Sequence, residues 1–470
     1  MSLTNFKISA TYTDHYQLTM AQVYFLDNQQ NNTAVFDYYF RKLPFDGGYA
    51  VFAGLEELLD LLENLRFDEE DIRFLRQEGF DSKFLDYLRG FRFRGEVYSS
   101  REGDLVFPTR PILTVKASII EAQIVETILL NVLNFQTLIA TKARRIREVA
   151  GDSQLFDFGL RRAQGLGGYS ASKACMIGGF DGSSNTMVSR DYGIPVSGTM
   201  AHSFIQNYED ELTSFRTYAR HWPDQSIFLV DTYDTLRSGL PNAIKVGKEL
   251  EKSGYQLKGI RLDSGDLAYL AKESRKMLDE AGLSYVKIAA SNQLDEYVIR
   301  SLKLQNAPID IFGVGTNLVI GKPDANLDGV YKLSFSQNKP RIKLSENIRK
   351  MTLPHQKQVY RSIGDDGRFD GIEAIGLFTE KNVEWMHHPY DESKSLSLQD
   401  RTLVPLLHKV MDQGTRIPPR YSWQEVKSYS QEQIDKLPAE YKRLDNPHTY
   451  KIGISGQLKT ERDRLRDSKK

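Results

Sequence analysis

Between residues 155 and 320, short apolar runs end again and again in acids, glycines and small hydroxyl residues. Ile227-Phe-Leu-Val230 leads into Asp231-Thr-Tyr-Asp234-Thr235, Gly259-Ile-Arg-Leu262 into Asp263-Ser-Gly-Asp266, and Ile309-Asp-Ile-Phe312 into Gly313-Val-Gly-Thr316. Parallel strands covered on both faces read as short apolar runs of this kind. Helical patterns alternate with them. Residues 243–253 precede the strand at 259–262, 267–281 precede one at 285–290, and 295–304 precede the one at 309–312. Such alternation implies βαβ units in a parallel sheet. About six or seven strands fall between 154 and 335, near the number that closes an α/β barrel. An open doubly wound sheet is the rival architecture.

Flanking segments read differently. Residues 1–118 mix strand and helix patterns: a strand at 34–40, a helix at 54–65, and short strands split by glycine and proline over 91–115. Residues 119–345 hold the barrel pattern, opened by a long helix over 119–148. Residues 346–470 are charged, with few apolar runs, and are expected to pack back on the N-terminal domain, with 459–470 fraying. The stretch 119–146 is the most apolar, but Glu121, Gln123, Glu126, Asn131, Asn134 and Gln136 interrupt it, and its apolar residues Ile124, Val125, Ile128, Leu129, Val132 and Leu133 recur at helical spacing. That makes it an amphipathic core helix and excludes a membrane span. The 62 basic and 62 acidic side chains cancel, which argues against general nucleic-acid binding. Cys175 is the only cysteine, so no internal disulfide forms and a reduced, intracellular setting fits. Residues 1–13 are polar and lack the apolar core of a signal peptide.

The strand ends carry the chemistry. Gly313, Gly315 and Thr316 suit a phosphate cradle, because glycines let backbone N–H groups approach an anion. A tight turn is the alternative. The neighbouring Gly315…Gly321-Lys322 fails as a P-loop, since Pro323 stands where Ser or Thr is required. Asp231, Asp234, Asp263 and Asp266 follow two strands. Carboxylates there bind sugar hydroxyls or Mg²⁺, or cap helices. For Asp266 the cap is the better reading; for Asp231 and Asp263 a functional role stands open beside it. In Asp157-Phe-Gly-Leu-Arg161-Arg162, the paired arginines suit an anion or a surface ion-pair cluster. His202, in Ser197-Gly-Thr-Met-Ala-His202-Ser203, lies in an expected strand-to-helix turn. Its chemistry suits a nucleophile or proton carrier, against the alternative of a structural hydrogen bond. His387-His388 has no partner at metal spacing and reads as surface.

Taken together and in order, these motifs resemble the nicotinate phosphoribosyltransferase family. So do Tyr12-Thr-Asp14-His-Tyr16-Gln-Leu-Thr19-Met20, Phe40-Arg-Lys-Leu-Pro-Phe45, Gly47-Gly-Tyr-Ala-Val-Phe-Ala-Gly54, Asn134-Phe-Gln-Thr137, Phe158-Gly-Leu-Arg-Arg162-Ala-Gln-Gly165 and Ser345-Glu-Asn. The likeness runs from about residue 10 to 365. It implies an irregular α/β barrel beside a mixed α/β domain, in a homodimer with composite sites. It implies transfer of phosphoribosyl from phosphoribosyl pyrophosphate to nicotinate, with Mg²⁺ and with ATP coupled through a phosphohistidine, for NAD synthesis. By the same resemblance His202 is the phosphorylated residue. Tyr16 of the partner subunit and Phe158 sandwich the pyridine ring, and Arg261 faces the nicotinate carboxylate or the ribose. Asp231 and Asp263 hold ribose hydroxyls or the Mg²⁺–pyrophosphate, directly or through water. Gly313, Gly315 and Thr316 cradle the 5′-phosphate, and Arg161 and Lys42 are further anion contacts. Nicotinamide-specific relatives carry an acid in the segment Phe180-Asp-Gly-Ser-Ser184-Asn185-Thr186; Ser184 at the matching place tolerates a carboxylate, although Asp181 stands nearby. The chain departs from the family at His355, where glycine is expected, and at Asn292-Gln293. A nicotinamide- or quinolinate-specific relative and a catalytically silent barrel are the competing readings.

Overall fold

The computed structural model describes residues 8–347 and 350–469, which form two compact units: 142–325, and 8–141 with the described residues of 326–469.

In the central unit, six strands are β1 (Gln154–Asp157), β2 (Gly182–Ser183), β3 (Ile227–Leu229), β4 (Gly259–Leu262), β5 (Lys287–Ser291) and β6 (Ile311–Val314). They form one sheet in the order β2-β1-β6-β5-β4-β3, and every pairing is parallel. The order is cyclic, since the last strand pairs with the first and the break falls between β2 and β3. An isolated parallel bridge, Ser183 to Val196, extends the sheet beyond β2. Leu155, Phe228, Leu229, Ile260, Leu262, Ile288, Phe312 and Val314 are fully or almost fully buried, as apolar strands covered on both faces must be. The connecting helices start where short polar side chains satisfy their free N–H groups. Asp266 accepts from Ala268 and Tyr269, Asp295 from Tyr297 and Val298, and Asp234 from Leu236 and Arg237. Asp266 is therefore the cap that its position suggested.

The second unit holds two sheets. A seven-stranded antiparallel sheet joins Thr33–Phe40 to Leu113–Ser118 on one side and to Gly329–Ser336 on the other. His408–Asp412 pairs with Glu96–Ser99, so the C-terminal segment adds strands to an N-terminal sheet. A mixed six-stranded sheet is built around Lys357–Ile363, Phe369–Leu377 and Lys451–Ser455. Buried ion pairs also link the two segments: Arg361 meets Asp104 at 2.8 Å, and Arg110 meets Glu373 at 2.8 Å.

Two sequence expectations need correction. The units divide at 142 and 326, whereas the sequence suggested 119 and 346. The reason is that the helix Glu126–Ala150 crosses one boundary, and Gly329–Ser336 leaves the parallel pattern to pair with Thr33–Phe40. The end of the chain also does not fray where expected. Gly456–Asp467 is a helix capped by Ser455, with Leu458 and Arg462 buried. Among the described residues no helix is long and apolar enough to cross a membrane.

Candidate active site

Three of the six strand ends, and one loop, place polar groups together in the central unit, and a fourth end adds an aromatic ring. The β4 end contributes Arg261 and Asp263, and the β5 end contributes Ser291. Arg261 Nη2 donates to Asp263 Oδ1 at 2.7 Å, and Nε donates to Ser291 Oγ at 2.8 Å. Ser291 in turn donates to Asp263 Oδ1. Burial alone would raise the Asp263 pKa, but the Ser291 hydrogen bond, the charge and hydrogen bond of Arg261 and the nearby His202 outweigh it and hold the acid below its usual range. From the β3 end, Asp231 Oδ2 accepts from the Asp263 N–H at 2.9 Å and from Ser264 Oγ at 2.6 Å. Its other oxygen, Oδ1, is buried and accepts no hydrogen bond from any of the described residues. A buried carboxylate oxygen without a partner is costly unless a ligand supplies one.

The loop before the helix His202–Gln206 meets the same cluster. Arg261 Nη1 donates to Thr199 Oγ1 at 3.0 Å. His202 Nδ1 lies 3.1 Å from Thr232 Oγ1, and its Nε2 lies 3.9 Å from Asp263 Oδ2. The ring is partly exposed, so a solute reaches it.

Phe158 forms one wall. Its ring lies 5.7 Å from the Arg261 guanidinium carbon, within cation–π range. Behind it, Asp157 is fully buried and accepts from Ser172 Oγ at 2.6 Å, Gly159 N–H at 2.7 Å and Ser183 Oγ at 2.8 Å. Burial pushes its pKa up, against the pull of those three donors. The Asp157 carbonyl accepts from the Ser184 N–H at 2.8 Å, which sets Ser184 beside the β1 end. Asp181 lies at the other end of these strands. It pairs with Arg147 at 2.5 Å and accepts from the Leu155 N–H, so the acid near Ser184 in sequence is turned away from it.

Gly313 sits at the β6 end, but a ring occupies its open side. A Cβ there would stand 2.4 Å from Phe158 Cδ2 and Cε2. Gly315 has φ −117° and ψ −100° and leads into the short helix Thr316–Val319. Asn292 and Gln293 follow β5 with φ of 78° and 51°, in the region that favours glycine. Asn317 steadies them by donating to the Gln293 and Leu294 carbonyls. Arg161 lies exposed in the turn Leu160–Arg162.

Tyr16 and Lys42 belong to the other unit. Tyr16 is 51% exposed on the helix His15–Leu26. The approach to that helix is fixed by Asp14, which accepts from Thr127 Oγ1 at 2.9 Å, and by Tyr12, which donates to Asn131. Lys42 is exposed and lies 3.0 Å from Asp46. The motif Asn134-Phe-Gln-Thr137 proves structural: Asn134 accepts from Tyr38, Gln136 donates to Glu57, and Thr137 exchanges hydrogen bonds with the Ala53 backbone.

Sequence reasoning missed Ser291, Thr199, Thr232 and Asn317. Ser291 carried the best signal, since Ala289-Ala290-Ser291 repeats the pattern of an apolar run ending in a hydroxyl. The expected strand stopped one residue short of it. Among the described residues no group of three or more His, Cys, Asp or Glu side chains is placed to hold a metal.

Known proteins share this chain's sequence and fold. Family models match three stretches: the nicotinate phosphoribosyltransferase N-terminal domain at 11–134, the nicotinate phosphoribosyltransferase family at 153–336, and the nicotinate phosphoribosyltransferase C-terminal domain at 356–462. A nicotinate phosphoribosyltransferase of Bacillus subtilis is 43% identical over 94% of this chain and 92% of its own. One from Caenorhabditis elegans is 35% identical over 95% of this chain and 91% of its own. The crystal structure of human nicotinic acid phosphoribosyltransferase superposes with a TM-score of 0.84 at 30% identity, covering 96% of this chain and 99% of that one. A Pyrococcus furiosus nicotinate-nucleotide pyrophosphorylase shares the fold, with a TM-score of 0.71 at 24% identity.

Proposed function

The chain belongs to the nicotinate phosphoribosyltransferase family, and on that premise we propose that it transfers the phosphoribosyl group of phosphoribosyl pyrophosphate to nicotinate. The products are nicotinate mononucleotide and pyrophosphate, and the step feeds NAD synthesis. The observation that carries the reading is the convergence of Asp231, Asp263, Arg261 and Phe158, with an Asp231 oxygen buried and unpartnered.

The bond from ribose C1 to pyrophosphate breaks as the pyridine nitrogen attacks C1. Positive charge grows on the ribose and negative charge on the leaving group. The carboxyl groups of Asp231 and Asp263 favour the first, and fixed cations favour the second. Asp231 Oδ1 fits a ribose hydroxyl or a cation. Asp231 and Asp263 are the residues that would hold Mg²⁺, directly or through water, and a bound Mg²⁺ would neutralise charge on the departing pyrophosphate. Phe158 supplies one face for the pyridine, whose weak nucleophilicity makes placement the main requirement. Tyr16 of the partner subunit supplies the other face in a homodimer. Gly315 and Thr316 hold the 5′-phosphate, and Gly313 contributes by seating Phe158. Arg161, exposed and positively charged, meets the anionic groups, as does Lys42. Ser184 leaves room for a carboxylate that an acid would repel.

ATP enters at His202. Its ring nitrogen attacks the γ-phosphorus, the N–P bond forms as the bond to ADP breaks, and water later takes the phosphoryl group as phosphate. A phosphoryl group there changes the charge beside Asp263 and Arg261 and so the affinity for substrate. The cyclic strand order, with β6 on β1, supports an irregular α/β barrel that is open between β2 and β3. The site of action is the cytoplasm.

The test is mass spectrometry of the product from nicotinate, phosphoribosyl pyrophosphate, ATP and Mg²⁺. Nicotinate mononucleotide is expected, with nicotinamide a poor competitor. Preference for nicotinamide would refute the acid substrate. His202→Ala is expected to abolish ATP stimulation and leave a slow ATP-independent reaction; undiminished ATP stimulation would remove His202 from the scheme.

A further inference from the structure

Arg261 has five guanidinium N–H groups, and four of them are already engaged. Nε donates to Ser291 Oγ at 2.8 Å, Nη1 to Thr199 Oγ1 at 3.0 Å and the Met200 carbonyl at 3.5 Å, and Nη2 to Asp263 Oδ1 at 2.7 Å. One N–H, on Nη2, is left for a ligand. The acceptors come from three different places: the β4 end itself, the β5 end and the loop that leads to His202. The Arg261 side chain is 12% exposed.

Ser291 is the central member. The residue is 3% exposed, and its one hydroxyl works in both directions, accepting from Arg261 Nε and donating to Asp263 Oδ1. The hydroxyl thereby closes a three-membered ring of contacts with the direct Arg261–Asp263 hydrogen bond. Without it, the planar guanidinium is free to turn and meet the Asp263 carboxylate with two N–H groups, which is the preferred geometry of that pair. Turned in that way, it no longer offers its remaining N–H in the same direction.

We propose that Ser291 is a positioning residue, which holds Arg261 so that a single N–H meets the carboxyl oxygen of the pyridine substrate. This inference rests on the nicotinate reading of the site. It has a consequence for selectivity. A single N–H donor cannot grip both oxygens of a carboxylate, and a carboxamide presents the same one oxygen. With its charge offset by the Asp263 carboxylate, Arg261 therefore places the ring without choosing between nicotinate and nicotinamide. The choice falls to groups outside this clamp, Ser184 among them.

The test compares Ser291→Ala with Ser291→Thr in the full-length protein. Ser291→Ala is expected to raise the KM for nicotinate about tenfold, the loss of one charge-assisted hydrogen bond, with kcat changed by less than about threefold. The KM for nicotinamide rises by the same factor, so the ratio of the two is unchanged. Ser291→Thr keeps the hydroxyl on a strand that favours β-branching, and it restores both values. An unchanged KM in Ser291→Ala, a shifted nicotinate-to-nicotinamide ratio, or a threonine variant no better than alanine overturns the proposal. A second readout is independent of turnover. In protein carrying ¹⁵N-arginine, the Arg261 Nε–H signal exchanges slowly in the wild type, is lost in Ser291→Ala and returns in Ser291→Thr. An Nε–H signal unaffected by Ser291→Ala overturns the clamp. Wild-type protein that makes no nicotinate mononucleotide while showing the protected signal overturns the functional reading alone.

Discussion

Phe158 lies against the bare Cα of Gly313, and a Cβ at residue 313 would come within 2.4 Å of two of its ring carbons. The ring is one wall of the proposed pyridine site, so the glycine sets where the substrate stacks. Gly313→Ala pushes the ring aside. We expect the KM for nicotinate to rise by about tenfold, with a stability loss of about 1–3 kcal/mol from overpacking. Kinetics with both substrates separate this from a phosphate role. A rise confined to the KM for phosphoribosyl pyrophosphate would return Gly313 to the phosphate cradle.

Asp231→Asn keeps the shape of the side chain and removes its charge. Its Oδ2 position accepts from the Asp263 N–H and Ser264 Oγ, so folding is largely preserved. The buried Oδ1, which no described residue satisfies, is expected to work on substrate or Mg²⁺. We expect kcat/KM to fall by about 10²–10³-fold, the scale of one preorganised electrostatic contact, with little change in Tm. A fall below about threefold would show that Asp231 is structural.

The strand ends were legible because a parallel strand covered on both faces must be apolar, and its polar residues therefore collect at its ends. Asp266 could be read as a cap from its place before an amphipathic helix, and Asp231 and Asp263 stood out because each directly follows an apolar run. What could not be read is pairing across the sheet. Nothing in the order of residues shows that Gly313 makes room for Phe158, or that Ser291 joins Arg261 to Asp263. The unit boundaries were hidden for a related reason. The helix Glu126–Ala150 crosses one of them, and Gly329–Ser336 looks like one more barrel strand until its partner Thr33–Phe40 is known. The last helix was misread because its composition is charged; the buried Arg462, which donates to the Pro389 carbonyl at 2.5 Å, shows how such a segment is held.

Two acids of the site affect stability in opposite senses as pH changes. Asp157 is fully buried and its pKa is raised, so the folded state holds a proton more tightly than the unfolded chain. Its contribution to stability falls as pH rises from the unfolded value of about 4 through the higher folded one. Asp263 is lowered, so its contribution is present above about pH 4 and is lost as pH falls through the folded value. Asp157→Asn removes the first effect and keeps the second. Losing part of the Ser172 and Ser183 hydrogen bonding costs about 1–3 kcal/mol. Above about pH 4, stability of the variant is expected to fall less steeply with pH than that of the wild type. Denaturant unfolding across a pH series measures both slopes, and equal slopes would mean that Asp157 keeps an ordinary pKa.

His355 tests whether the departure from glycine strains the chain. Its φ is +66°, and its Nε2 lies 3.2 Å from Glu461 Oε2, a partly exposed pair. A non-glycine residue in the left-handed region costs about 1–2 kcal/mol, and glycine relieves that while adding about 0.5–1 kcal/mol of unfolded-state entropy. The pair with Glu461 is worth about 0–1 kcal/mol. The effects nearly cancel, so His355→Gly is expected to change stability by less than about 1 kcal/mol. His355→Val loses the pair and places a β-branched side chain at positive φ, where the cost is higher than for histidine. A loss of about 1–3 kcal/mol is expected for valine. Equal stability of the glycine and valine variants in thermal or denaturant unfolding would show that the backbone does not hold φ near +66° in solution. A valine variant clearly below a near-neutral glycine variant would locate the constraint in the backbone, with the His355–Glu461 pair contributing little.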